Sequence, residues 1–179
     1  TSLMPSSHPS STCELGHDCT VSSGNRAIPV DVNDVALQNA IKSYLNGNFT
    51  YGKKITCWDV RQVTSMRNAF GNINTFNESL CWDVSSVTDM QQMFYQASAF
   101  NQDLSSWDVS SVTNMFQMFY STTAFNQSLC SWATKSPQLS NGNVVDMFRN
   151  SACANSSTPV LAVGTLENPH VGPFCVTCE

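Results

Sequence analysis

Charge is scarce in this 179-residue chain: eight Lys and Arg stand against thirteen Asp and Glu, a formal net charge of -5. So few cations cannot build a basic stripe, which sets nucleic acid aside as a partner. Histidine is rarer still, and His8, His17 and His170 all lie in the terminal segments. No Ser or Cys motif places a nucleophile beside a base, and no local motif pairs carboxylates for sugar chemistry. The chain therefore reads as a non-enzyme, and no cofactor is implied. Also missing is any apolar run of the roughly 20 residues that span a bilayer, so no membrane span is expected. A charged start leading into an apolar segment is absent too, and the start at Thr1 reads as that of a processed or partial chain. With few ions available, Ser, Thr, Asn and Gln must cover the surface.

What is present begins with eight cysteines, an even number, and four Asn-x-Ser/Thr sequences at Asn48, Asn77, Asn126 and Asn155. Oxidised thiols and glycosylated asparagines both belong outside the cell, so a secreted, extracellular or cell-surface location is expected.

The organising feature is an internal repeat. Tryptophans 58, 82, 107 and 132 are spaced 24, 25 and 25 residues apart. Trp58-Asp-Val60, Trp82-Asp-Val84 and Trp107-Asp-Val109 each lead into Val-Thr-x-Met, at Val63 to Met66, Val87 to Met90 and Val112 to Met115. Ala69-Phe70, Met93-Phe94, Met118-Phe119 and Met147-Phe148 come next, and Phe76 to Leu80, Phe100 to Leu104 and Phe125 to Leu129 close the unit. Ile55, Trp58 and Val60, like Leu104, Trp107 and Val109, follow an L-x-x-L-x-L pattern whose final alternation predicts a short strand with Asp outward. Val112, Met115, Met118 and Phe119 fall three or four apart, which predicts one face of a short helix. The expected fold is thus an α/β repeat solenoid, with leucine-rich-repeat-like coils of short parallel strand plus short helix sharing one core.

The run W-D-V-S-S-V-T-x-M-x-x-M-F followed by F-N-Q-x-L resembles the BspA-type, leucine-rich-repeat-like surface-protein repeat, specifically through residues 55 to 132 and more loosely to 163. That resemblance implies an extracellular solenoid with structural or adhesion-like roles, and it carries no catalytic residues.

Four segments are expected. Residues 1–24 are a Ser/Thr/Pro-rich extended segment, suited to O-glycosylation. Residues 25–54 hold a capping helix, with Asp and Asn at its start near residue 31, apolar residues at 37, 41 and 45, and a stop at Asn46-Gly47. Residues 55–154 form about four coils, and 155–179 an irregular disulfide-bonded cap whose Leu161-Ala-Val163 keeps strand alternation.

Among candidate sites, Cys175-x-x-Cys178 lacks the second pair or βαβ context that zinc or redox chemistry needs, so structural disulfides account for it better. Cys13 and Cys19 suit a short disulfide loop, Cys57 and Cys81 a bond between adjacent coils, and Cys130, Cys153, Cys175 and Cys178 pairing among themselves. Asp59, Asp83 and Asp108 form an outward column, either a calcium ligand face or acceptors for the Ser-rich turns that follow. No metal is assigned. Asn77, Asn101, Asn126 and Asn155 share one repeat position, read either as an asparagine ladder between coils or, at 77, 126 and 155, as glycan sites.

The functional expectation is an extracellular structural or adhesive surface protein that self-associates head-to-tail into a fibre or coat through an open C-terminal end. The alternative is a module that binds a surface protein or glycan through the strand-ladder face.

Overall fold

The structure, a computed structural model, describes residues 35–52, 54–133, 141–159 and 174–176. Outside them lie the 1–24 segment, the expected start of the capping helix, Leu161 to Val163, all three histidines, and Cys13, Cys19 and Cys178.

The expected α/β repeat solenoid is not what the chain forms. Among the described residues there is one α-helix, α1 (Val35–Leu45), three single turns of 3-10 helix at Ile55–Cys57, Cys130–Trp132 and Asn141–Val144, and no strand. The only pairings that approach a sheet there are isolated bridges, of which Ser65 to Asp89 and Asp89 to Asn114 are parallel.

Backbone hydrogen bonding explains why the Met-x-x-Met-Phe segments are not helices. In a helix every N–H returns to the carbonyl four residues back. Here alternate donors leave the unit: the N–H groups of Met90, Gln92, Phe94 and Gln96 reach the carbonyls of Asn114, Phe116, Met118 and Tyr120 in the next unit, at 2.8–2.9 Å. The N–H groups between them close tight turns, Met93 to Met90, Tyr95 to Gln92 and Ala97 to Phe94. The same alternation links Met66 to Asn72 with the second unit, and Met115 to Ser121 with the fourth. Each run of turns needs left-handed residues four apart: φ is +55° at Asn68, Gln92 and Asp146 and +53° at Gln117, then +63°, +55°, +54° and +60° at Asn72, Gln96, Ser121 and Asn150. Positive φ at the third residue of a turn is the geometry of type II turns. Consecutive turns also bring residues three and four apart to the same side, so the apolar spacing is real although the helix is not.

The Leu-x-x-Trp-x-Val segments are not strands either, because side chains carry bonds between units there. Trp82, Trp107 and Trp132 donate their indole N–H to the carbonyls of Ile55, Leu80 and Leu104, at 2.8, 3.0 and 3.1 Å. The Cys81 N–H finds the Thr56 hydroxyl instead of a backbone carbonyl.

Stacking the units produces continuous internal columns. Phe70, Phe94, Phe119 and Phe148 stack at 5.2, 5.5 and 5.6 Å between ring centroids, and Phe76, Phe100 and Phe125 at 6.1 Å each. Met66, Met90, Met115 and Met147 are completely buried beside them. Each such side chain contributes about 1.5–3 kcal/mol once covered, and a unit alone covers neither of its flat sides. Stability therefore belongs to the stack.

Both ends of the described stack are covered. At the N-terminal end α1 buries Leu37, Ala40 and Ile41, while Leu45, expected on the inner face, is 40% exposed. The Gln38 side chain donates to the Arg67 carbonyl at 2.8 Å, doing what a preceding unit would do. The helix ends in a Schellman motif, with Gly47 at φ +81°, its N–H on the Tyr44 carbonyl and the Asn48 N–H on the Ser43 carbonyl. At the C-terminal end Phe174 and Cys175 are fully buried; Leu129 N–H donates to the Phe174 carbonyl and Asn155 N–H to that of Cys175. The Thr158 hydroxyl accepts from Asp146 N–H, a donor that in earlier units bonds to the next one. These contacts cover the last described unit.

Candidate lateral interaction face

With both ends covered, surface chemistry lies on the sides of the stack, where residues at equivalent positions form columns. Three of these columns are used internally. In the aspartate column, Asp83 accepts from the N–H and hydroxyl of Ser85, at 3.1 and 2.6 Å, and Asp108 accepts from Ser110 N–H. Asp59 is gripped by Arg61 through Nε and Nη2, each at 2.9 Å, and those hydrogen bonds hold its carboxyl below the usual carboxylate range. Each carboxylate therefore closes its own turn, the alternative to a calcium column.

The threonine column is also internal: Thr88 and Thr113 donate their hydroxyls to the carbonyls of Thr64 and Thr88, both at 3.1 Å. In the asparagine column, Asn77 Oδ1 accepts from Asn101 N–H at 2.9 Å, and Asn101 Oδ1 accepts from Asn126 N–H at 2.9 Å. Gln102 and Gln127 add a second donor to each of these oxygens. The asparagine ladder is real from 77 to 126. Asn155 departs from it: its Oδ1 accepts from Ser157 N–H within its own sequon.

Among the cysteines, Cys153 is bonded to Cys175, with their Cα atoms 4.7 Å apart, within the set expected to pair. Cys57, Cys81 and Cys130 are each disulfide-bonded as well.

Two further columns differ. Backbone register places Gly71, Tyr95, Tyr120 and Arg149 in one outward column of the Met turns, and Arg67, Gln91, Phe116 and Val145 in its neighbour. Tyr95 and Tyr120 stack at 5.2 Å with their planes 9° apart, both half-buried, and Val145 is 37% exposed. Amides brace the surface from unit to unit, Gln92 to Gln117 at 2.9 Å and Asn114 to Gln91 at 3.1 Å. This side combines partly exposed aromatic edges with amide groups, and its first and last units carry Arg67 and Arg149, paired with Asp89 and Asp146 at 4.0 and 3.5 Å. Reading the Met segments as helices hid it, because a helix would scatter these residues around its circumference. The available signal was the recurrence of Met-Phe-Tyr at 93–95 and 118–120.

The architecture defines a repeat protein whose 24–25-residue units are built from turns and stacked through backbone and side-chain bonds. The chain belongs to the family described as Mycoplasma protein of unknown function, DUF285, which matches residues 37–159. No curated protein and no solved structure matches it. Among the described residues no helix is long and apolar enough to cross a membrane.

Proposed function

We propose that this chain is a non-catalytic, extracellular structural or adhesive surface protein that makes its contacts through the side of the stack bearing Tyr95, Phe116, Tyr120 and Val145. The observation that carries this reading is the stacked, half-buried pair Tyr95 and Tyr120 on that side, in a column next to the exposed Val145. Disulfide bonds support an oxidising location. The resemblance of the repeat to BspA-type surface proteins supports an adhesive role.

A glycan or surface-protein ligand is a second reading that the paired tyrosines favour, since aromatic edges flanked by amides suit both partner types. One experiment tests face and partner class together. Beads coated with the purified chain are offered panels of polysaccharides and surface proteins, alongside beads carrying the double variant Tyr95→Ser, Tyr120→Ser. The expected result is capture by the parent and at least tenfold less by the variant, at an unchanged melting temperature. Equal capture by both would move the contact elsewhere, and capture by neither would remove the adhesive reading.

A further inference from the structure

The sequons at Asn48 and Asn77 hold their amides in two different ways, and the difference bears on covalent modification. Asn48 is exposed on the turn that leaves α1, and its side-chain carbonyl accepts two bonds, from the Thr50 hydroxyl at 2.7 Å and the Thr50 N–H at 3.2 Å. Both donors belong to the sequon itself. The middle residue, Phe49, is 46% exposed, so this sequon stands clear of the core. Asn77 Oδ1, by contrast, is bonded to Asn101 N–H and to Gln102 Nε2, 24 and 25 residues further on. Asn126 and Asn155 are tied by their backbone N–H groups to Asn101 Oδ1 and to the Cys175 carbonyl.

We propose that Asn48 is an acceptor for N-linked glycan on the folded protein, and that Asn77 becomes one only when the stack is open. A transferase must draw the whole amide into its site. For Asn48 this disturbs only the small turn that the hydroxyl at the third sequon position already organises; for Asn77 it breaks two bonds between units. In the transfer, Asn48 Nδ2 attacks the anomeric carbon of an oligosaccharide carried on a lipid diphosphate. The new N–C bond forms as the C–O bond to the diphosphate breaks, and the amide nitrogen gives up one proton to solvent. The Thr50 hydroxyl leaves Nδ2 free by occupying the oxygen instead. This assignment rests on the extracellular reading for its biological setting, but its test needs no adhesion partner, so the two can fail separately.

The test uses a purified eukaryotic oligosaccharyltransferase with its lipid-diphosphate oligosaccharide donor. It is presented with the full-length oxidised chain, the same chain reduced and unfolded, and the variants Asn48→Gln and Thr50→Val in oxidised form. Glycopeptides are quantified after enzymatic release of the glycan in heavy-oxygen water. On the oxidised chain Asn48 is expected to be modified and Asn77 at least about tenfold less; both variants lose the Asn48 signal, and reduction raises Asn77 to the level of Asn48. The proposal is overturned if the oxidised chain is unmodified at Asn48, or if Asn77 is modified equally well before and after reduction.

Discussion

Replacing the repeat tryptophans one at a time by phenylalanine separates the indole hydrogen bond from the bulk of the ring. Trp107 is 2% exposed and its N–H lies 3.0 Å from the Leu80 carbonyl, in the middle of the stack. Phenylalanine keeps an aromatic ring but leaves that carbonyl without its donor, which costs about 1–3 kcal/mol for a buried group, and it removes further packed atoms. Trp107→Phe is therefore expected to cost about 2–3 kcal/mol, and Trp107→Ala about 3–5 kcal/mol. Trp82→Phe should cost somewhat less than Trp107→Phe, because the Ile55 carbonyl that Trp82 reaches at 2.8 Å also accepts from the Trp58 backbone N–H at 3.2 Å and keeps that donor. Trp58 differs: its indole N–H reaches the Gly52 carbonyl only at 3.5 Å, so Trp58→Phe should cost roughly half as much as Trp107→Phe. Urea unfolding of the oxidised chain, followed by circular dichroism, gives the three midpoints. Domains of this size are stable by only about 5–15 kcal/mol, so losses of this size shift a midpoint well beyond error. Equal losses at all three positions would show that ring volume alone matters and would refute the indole-bond account.

Ser121 holds φ +54° with a side chain that makes one long bond, from Asn150 at 3.5 Å. Ser121→Gly should raise stability by up to about 1 kcal/mol and Ser121→Val lower it by about 1–2 kcal/mol, read as shifts in urea midpoint. Burial, and then the hydrogen bond to Glu78, raise the Tyr44 pKa. Because the folded value lies above the unfolded one, near 10, the stabilisation is complete below about pH 10 and lost as pH climbs through the raised value. Alkaline titration of the melting temperature should show that loss, and Tyr44→Phe should abolish its Tyr44-dependent part. Chelation should leave the melting temperature unchanged, because Asp59, Asp83 and Asp108 already accept bonds from their own turns. A fall of several degrees on adding chelator would restore the calcium reading.

Much of the core was legible in the sequence, since the Trp, Met and Phe positions repeat at fixed spacing and nearly all of them are buried. The backbone that carries them was not. Residues three and four apart share a side both in an α-helix and in consecutive tight turns, so Met115, Met118 and Phe119 cannot tell the two apart. The missing information was where alternate N–H groups go, which depends on the presence of a neighbouring unit. Left-handed conformation was also poorly signalled, because Gln92, Gln96 and Gln117 occupy it where glycine is the usual mark. The asparagine column was legible as a ladder or as glycan sites; the ladder forms at Asn77, Asn101 and Asn126, while Asn155 instead closes a local turn, as Asn48 does outside the column.

Placing inter-unit bonds on side chains has a consequence for how the surface can vary. Where Trp, Thr and Asn bond to the unit before or after them, their identity is fixed by the stack, and an exchange there weakens stability first. The column Gly71, Tyr95, Tyr120 and Arg149 obeys another rule. Its inter-unit hydrogen bonds come from the main chain, and the Tyr95 and Tyr120 rings add a stacked contact between two units. Gly71 and Arg149 show local restraints, since a Cβ at 71 would run into the Asn68 side chain and the Arg149 guanidinium pairs with Asp146 at 3.5 Å. Gly, Tyr, Tyr and Arg thus occupy equivalent positions on the same backbone. A stack built this way holds its frame with polar and aromatic residues at fixed positions, and in the proposed function the side bearing Tyr95 and Tyr120 makes the contacts. For that reason the paired tyrosines, rather than the aspartate or threonine columns, are where a partner should be sought.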